Sequence, residues 1–209
     1  VLNACLDSTS DSYRCSYEDT TTLDLSNCAF LDSDAEDIPD CFEAFGKGNI
    51  ERLSMPFQDD LTTLPAGLFD GLTSLVDMDL SYTAISSLPA GVFSGLSGVI
   101  ELEMHFSQLA AMPEGLFAGM TSMEKLIVSS AKLTSLPAEV FTPLTSLQAL
   151  DLSLNADLQC IPTTTATEIR LFPDEPLPGM CECQPVEAIA CQTGSCHAGE
   201  NGYTCGKRH

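Results

Sequence analysis

The stretch LTTLPAGLFDGLTSLVDMDLSYTA, Leu61 to Ala84, runs without a gap into ISSLPAGVFSGLSGVIELEMHFSQ from Ile85, LAAMPEGLFAGMTSMEKLIVSSAK from Leu109 and LTSLPAEVFTPLTSLQALDLSLNA from Leu133. One pattern recurs four times at a period of 24 residues. A unit this short cannot bury its apolar face alone. Neighbouring units must stack, and equivalent side chains then form columns running from repeat to repeat. The period predicts a solenoid in which function lies on exposed columns.

Within each block a short apolar alternation marks a strand with one buried face: Leu75, Met78 and Leu80; Val99, Leu102 and Met104; Met123, Leu126 and Val128; Leu147, Leu150 and Leu152. Successive strands lie one period apart with a return segment between them, so they pair in parallel. The return segments carry a second column, Phe69, Phe93, Phe117 and Phe141, preceded by Pro65, Pro89, Pro113 and Pro137. Full burial of each ring stabilises by roughly 1.5–3 kcal/mol, which makes this column as important to cohesion as the leucines. Gly67, Gly91 and Gly115 permit a tight turn beside each ring, and Glu139 takes that place in the last block.

Outside the regular blocks the composition changes. All ten cysteines lie at the ends: Cys5, Cys15, Cys28 and Cys41 before the repeats, then Cys160, Cys181, Cys183, Cys191, Cys196 and Cys205 after them. The terminal units of a solenoid have an open apolar end and little core of their own. Cysteines confined there predict disulfide-stapled caps and an oxidising, extracellular compartment. The expected division is 1–45 as an N-terminal cap with a first degenerate repeat, 46–157 as the repeats and 158–209 as a C-terminal cysteine-rich cap. In the N-terminal segment the expected pairs are Cys5–Cys15 and Cys28–Cys41. No run of 18 apolar residues occurs, so no transmembrane helix is expected. The start at Val1 lacks a basic and apolar leader and reads as a mature or trimmed product.

The chain carries 30 acidic against 8 basic residues, a formal charge of −22 over 209 residues. That balance opposes nucleic acid and anionic membranes, whose phosphates it repels. It fits a solvated surface screened over roughly 8 Å at physiological salt, and it also fits a basic partner or a weak calcium association. No Asn-x-Ser/Thr acceptor is present.

The motif Leu-x-x-Leu-x-Leu followed by Leu-Pro-Ala-Gly-x-Phe-x-Gly-Leu-Thr-Ser-Leu resembles the leucine-rich repeat family in its 24-residue extracellular form. LPAGLFDGLTSL and LPAGVFSGL are similar to repeats of the variable lymphocyte receptors of jawless vertebrates, though the caps lack those receptors' usual cysteine spacing. The resemblance is close from Leu61 to Cys160 and looser from Thr20 to Asp60. It implies an α/β-type solenoid, a curved right-handed superhelix with short parallel strands on the concave face. The convex face is expected to be mostly loop and turn with short helical segments. It also implies an Asn after Leu-x-Leu-x-x to tie neighbouring turns together, a place held here by Thr83, Ser107, Ala131 and Asn155. The stretch from Cys183 to Cys205 resembles part of an epidermal-growth-factor-like module. That module's pairing would join Cys183–Cys196 and Cys191–Cys205, leaving Cys160–Cys181, among 15 ways of joining six cysteines.

In register, the residues between the strand leucines project from the concave face. The first column runs Thr22, Arg52, Asp77, Glu101, Lys125, Ala149. The second runs Asp24, Ser54, Asp79, Glu103, Ile127, Asp151, and the third Ser26, Pro56, Ser81, His105, Ser129, Ser153. A fourth, nearer the rim, holds Asn27, Phe57, Tyr82, Phe106, Ser130 and Leu154. Asp77, Asp79, Glu101 and Glu103 make an acidic square flanked by Tyr82, His105 and Phe106. With Lys125, Ile127 and Asp151 these form the candidate ligand-binding set, suited to a protein or glycan and in particular to a basic protein. The same residues in a purely solvated face are the plain alternative.

Other chemistry is weaker. Asp32, Asp34, Glu36, Asp40 and Glu43 fall at positions of a calcium loop, but Asp37 stands where the turn needs Gly, so an acidic connector is expected. Cys181, Cys183, Cys191, Cys196 and His197 have zinc-ligand chemistry, which the disulfide reading outweighs. Ser81, His105 and Asp79 could be drawn as a hydrolase triad, but an open sheet does not exclude water and no Gly-x-Ser-x-Gly elbow is present. The expectation is no enzyme, no cofactor and no metal: a secreted or cell-surface recognition module. The alternatives are an acidic, calcium-associated matrix protein and the ectodomain of an anchored receptor.

Overall fold

The computed structural model describes residues 16–17, 21–26, 30, 38–158, 161–162, 164–170, 194–199 and 202–207. One sheet runs through the repeats in chain order: β1 (Ser16–Tyr17), β2 (Thr22–Asp24), β3 (Arg52–Ser54), β4 (Asp77–Asp79), β5 (Glu101–Glu103), β6 (Lys125–Ile127), β7 (Ala149–Asp151) and β8 (Glu168–Arg170). β1 is antiparallel to β2, and every later neighbour pair is parallel, with no crossover. That is the solenoid the period predicts. The sheet also extends through β8, beyond the last strand legible as a repeat. A separate hairpin pairs β9 (Gly194–Gly199) with β10 (Gly202–Lys207), with Cys196 opposite Cys205 in register.

The central residue of each repeat strand points inward: Leu23, Leu53, Met78, Leu102, Leu126 and Leu150 are all buried. The flanking residues face out, as the two-residue period of a strand requires. Return segments are built from consecutive turns rather than helices. In the first block Leu68 N–H bonds Pro65 O, Asp70 N–H bonds Gly67 O and Leu72 N–H bonds Phe69 O, at 3.3, 2.9 and 3.2 Å. The bend depends on backbone that bulky residues avoid: Gly95 sits at φ 90° and Gly119 at the same value.

Phe69, Phe93, Phe117 and Phe141 form the expected spine, with centroids 5.9, 6.2 and 6.4 Å apart. The spine is one ring longer than the repeats. α1 (Ile38–Phe45) replaces the turn-built return segment of the N-terminal unit, and its Phe42 stacks on Phe69 at 6.2 Å. Ile38 and Phe42 lie four residues apart on one helix face and are fully buried, with Phe45 partly so. Pro39 is tolerated because it falls in the first turn. The helix stops at Gly46, whose φ of 95° lets its N–H close on Phe42 O at 2.9 Å. Asp40 and Glu43 are therefore helical, which removes the second half of the calcium-loop pattern; residues 31–37 lie outside the described set.

The amide column runs inside the solenoid. Asn155 donates to Val128 O and Leu152 O at 2.8 and 2.9 Å and accepts from Leu133 N–H at 3.2 Å. Gln58 does the same one residue type longer, donating to Leu25 O and Pro56 O at 3.0 and 3.1 Å and accepting from Phe30 N–H at 2.8 Å. Its extra methylene matches the extra residue between Gln58 and Leu61, the place where β3 and β4 are 25 rather than 24 apart. Between these two amides the column thins. Thr83 Oγ1 donates to Leu80 O of its own turn at 3.1 Å, Ser107 Oγ is buried without a partner, and Ala131 brings no polar atom.

Candidate functional site

Asp77, Asp79, Glu101, Glu103, Lys125, Ile127 and Asp151 all lie on the outward face of β4–β7. The strand register places Asp77 beside Glu101 and Asp79 beside Glu103, as the columns predict. What the columns do not convey is how the charges divide. Arg52 Nε bonds Asp77 Oδ2 at 2.9 Å from the preceding strand, and Lys125 Nζ bonds Glu101 Oε1 from the following one. The acidic square is thus two cross-strand ion pairs enclosing Asp79 and Glu103.

Those two differ again. Asp79 Oδ1 accepts the Ser81 N–H at 2.8 Å, a turn-closing contact that recurs at Asp24 with Ser26 and Asp151 with Ser153. One Asp79 oxygen is therefore structural. Glu103 shares a hydrogen bond with Glu101. Partial burial, then that bond and the charges of Asp79 and Glu101, push the Glu103 carboxyl above its ordinary value. For Glu101, burial is outweighed by hydrogen bonds from Lys125 and Glu103 and by the Lys125 charge, which hold it below. As pH falls, Glu103 takes up a proton before Glu101 does. Lys125 is held above its ordinary value chiefly by its bond to Glu101.

The corner after each strand positions the rim column. Phe57, Tyr82, Phe106, Ser130 and Leu154 all have left-handed backbone, φ 61°, 55°, 54°, 52° and 59°. Few non-glycine residues adopt that region. The first four corners are fixed by a backbone N–H bond onto the next repeat: Phe57 to Ser81 O, Tyr82 to His105 O, Phe106 to Ser129 O and Ser130 to Ser153 O, at 3.3, 2.8, 3.0 and 2.9 Å. As a result three rings stack in consecutive repeats. Phe57 and Tyr82 have centroids 5.0 Å apart, Tyr82 and Phe106 4.8 Å, and the planes are tilted by only 22° and 12°. These rings stay 59, 40 and 47% exposed, so they are not packed into the solenoid. Phe57 was visible in the rim column, yet nothing in its own repeat marks it as part of a ligand set.

His105 joins rim to floor. Its ring meets Tyr82 and Phe106 edge-on, its Nδ1 lies 2.8 Å from Ser81 Oγ, and Glu103 Oε2 is 3.5 Å from the same nitrogen. A nucleophile relay needs the hydroxyl and the carboxylate on opposite ring nitrogens. Here both fall on Nδ1, and Ser81 is only 1% exposed. Ser81 and Pro56 are buried, so the third column is a shelf beneath the rim rather than the fully exposed column expected from the sequence.

Two depressions lie on the concave face of the described strands. One of about 320 Å³ lies over β3–β5 and includes Arg52, Asp79 and Glu103. The other, about 330 Å³, lies over β6–β8 and brings Lys125, Ile127 and Asp151 together with Arg170, away from the aromatic rim. The expected pairs Cys5–Cys15, Cys28–Cys41, Cys160–Cys181, Cys183–Cys196 and Cys191–Cys205 each involve a side chain outside the described residues. Of the zinc-type cluster, Cys181, Cys183 and Cys191 lie outside the described residues. Among the described residues no three His, Cys, Asp or Glu side chains converge as metal ligands, and no helix is long and apolar enough to cross a membrane.

Comparison with curated proteins gives no match. Among solved structures, the crystal structure of a TLR13–ssRNA13 complex is similar with a TM-score of 0.52 and 24% identity, over 57% of this chain and 16% of that one. At that identity the likeness speaks to the fold, and this chain spans a small part of the other's length. The family model described as leucine rich repeat matches residues 49–109 and 97–156, which together take in all four regular blocks. The matched residues hold β3–β7, parallel strands 24 or 25 residues apart over buried leucine and phenylalanine columns, and the chain belongs to the leucine-rich repeat family.

Proposed function

We propose that this chain is an extracellular recognition module that binds a protein on its concave face, without catalysis, and that its terminal cysteines staple the two caps. The observation that carries the reading is the exposed ring ladder standing over Asp79 and Glu103, apolar area and uncompensated charge side by side. Leucine-rich repeat proteins are generally recognition modules, and the ladder needs some such purpose because three exposed aromatics in left-handed backbone add nothing to the core. The acidic floor favours a basic partner. It also disfavours RNA, although the TLR13 neighbour is a complex with ssRNA, because phosphates would meet carboxylates.

The test is a panel of secreted and cell-surface proteins probed with the disulfide-intact chain at about 150 mM salt, where surface contacts are screened. A partner should be captured by the wild type and lost when Asp79→Asn, Glu103→Gln, Tyr82→Ser and Phe106→Ser are combined. Exchanging Asp70 and Glu114 on the return segments for Ser should leave binding intact. A partner retained by the fourfold variant refutes the site.

A further inference from the structure

We propose that the Phe57–Tyr82–Phe106 ladder and the Asp79–Glu103 pair form one docking surface for an extended segment of a partner protein that carries an arginine or lysine flanked by apolar side chains. This rests on the protein-binding reading above and narrows it to a site and a chemistry.

The rings decide which part of the ligand goes where. Because each ring is stacked on the next, the faces between neighbours cover one another and both faces of the middle ring, Tyr82, are taken. A ring edge carries the positive end of the quadrupole, and a cation is held over a face. The ladder therefore takes apolar groups, and the cation must go elsewhere. A flat sugar ring also packs on a face, which counts against a glycan. From first to last centroid the ladder spans roughly 10 Å, the length of about three residues of extended chain.

The carboxylates decide the charge. Asp77 and Glu101 already hold Arg52 and Lys125, so an incoming cation finds its partners in Asp79 and Glu103. Adjacent parallel strands lie about 4.8 Å apart, which lets one guanidinium or ammonium reach both side chains. Asp79 and Glu101 crowd Glu103 and push its carboxyl above the ordinary value, a repulsion that an incoming cation relieves. A second copy of this chain is a poor occupant, because two bodies of formal charge −22 repel.

The experiment is selection from a display library of short random peptides against the folded, disulfide-intact chain at about 150 mM salt. Enriched peptides should carry Arg or Lys between apolar residues. Their affinity should fall about tenfold or more with Phe106→Ser, and likewise with Asp79→Asn plus Glu103→Gln. It should be restored with Phe106→Tyr and be indifferent to Ile127→Ser plus Asp151→Asn at the far depression. All these side chains are exposed or half-buried, and a melting curve on each variant separates binding from folding. Peptides without a basic residue, peptides indifferent to the ladder, or no enrichment at all would overturn the proposal. Peptides that respond to Ile127 and Asp151 instead would overturn it while leaving the protein-binding reading in place. Binding to a glycan array with no peptide enriched would remove both.

Discussion

Asn155→Ala and Ser107→Ala alter the same column of the solenoid and should have opposite consequences. Removing the Asn155 side chain strands three backbone groups, Val128 O, Leu152 O and Leu133 N–H, each within 3.2 Å of the amide now and buried behind the strands. An unpaired buried backbone group costs about 1–3 kcal/mol. The neighbouring turn at Ala156 and Asp157 is exposed and admits water, so the low end applies to each group. The sum is a loss of about 3 kcal/mol, which for a chain of this size lowers the melting temperature by roughly 6–12 °C. Ser107, in contrast, buries a hydroxyl that bonds nothing. Its replacement by Ala removes a desolvated polar atom and should leave stability unchanged or raise it by up to about 1 kcal/mol. Urea unfolding followed by far-UV circular dichroism, with both variants oxidised, measures the two. An Asn155→Ala loss under about 0.5 kcal/mol, or a Ser107→Ala loss of similar size to that of Asn155→Ala, would refute the idea that side-chain amides hold adjacent turns together here.

Phe117→Ala removes the middle of the ring spine, where the side chain is fully buried between Phe93 and Phe141; a loss of about 3–5 kcal/mol is expected in the same assay. Glu103→Gln tests the carboxyl pair. Glu103 holds its proton more tightly folded than unfolded, so stability contributed by the protonated form is present below the ordinary value of 4.5 and is lost as pH rises above it. Glu101 runs the other way, its contribution present above 4.5 and lost as pH falls. In the Gln variant the fall in melting temperature as pH rises above 4.5 should flatten, and an unchanged slope would count against a raised Glu103 carboxyl.

Much of this structure is legible in the sequence, to the residue. Every cross-strand pair from Asp77–Glu101 to Ile127–Asp151 follows from laying the 24-residue blocks over one another, and the pairs of Thr22 with Arg52 and Arg52 with Asp77 follow from matching the strand alternation of the two degenerate repeats to those blocks. The charge pairing was legible as well. Reading along the first column, Arg52 precedes Asp77 and Lys125 follows Glu101, so opposite charges sit on neighbouring strands. Gln58 stands at the same offset after Leu53 and Met55 as Asn155 does after Leu150 and Leu152, and was hidden only by residue type. Other features were hidden for physical reasons. Phe42 joins the spine from a helix, whose period of 3.6 breaks the column pattern. β8 follows a segment with no repeat spacing. The burial of Ser81 depends on His105 and the rings above it, a tertiary fact with no local signal.

The left-handed corners have a bearing on how such a surface can change. Five successive repeats place a side chain on the same backbone geometry outside the core, and in the first four the main chain of the corner is bonded to the next repeat. Glycine or asparagine would sit there with less strain than the aromatics do. The chain therefore carries its rings at some expense to folding, and exchanging them asks nothing of the leucine and phenylalanine columns beneath. Specificity could therefore be rewritten on an unaltered frame, although the three stacked rings must change as a set because each touches the next.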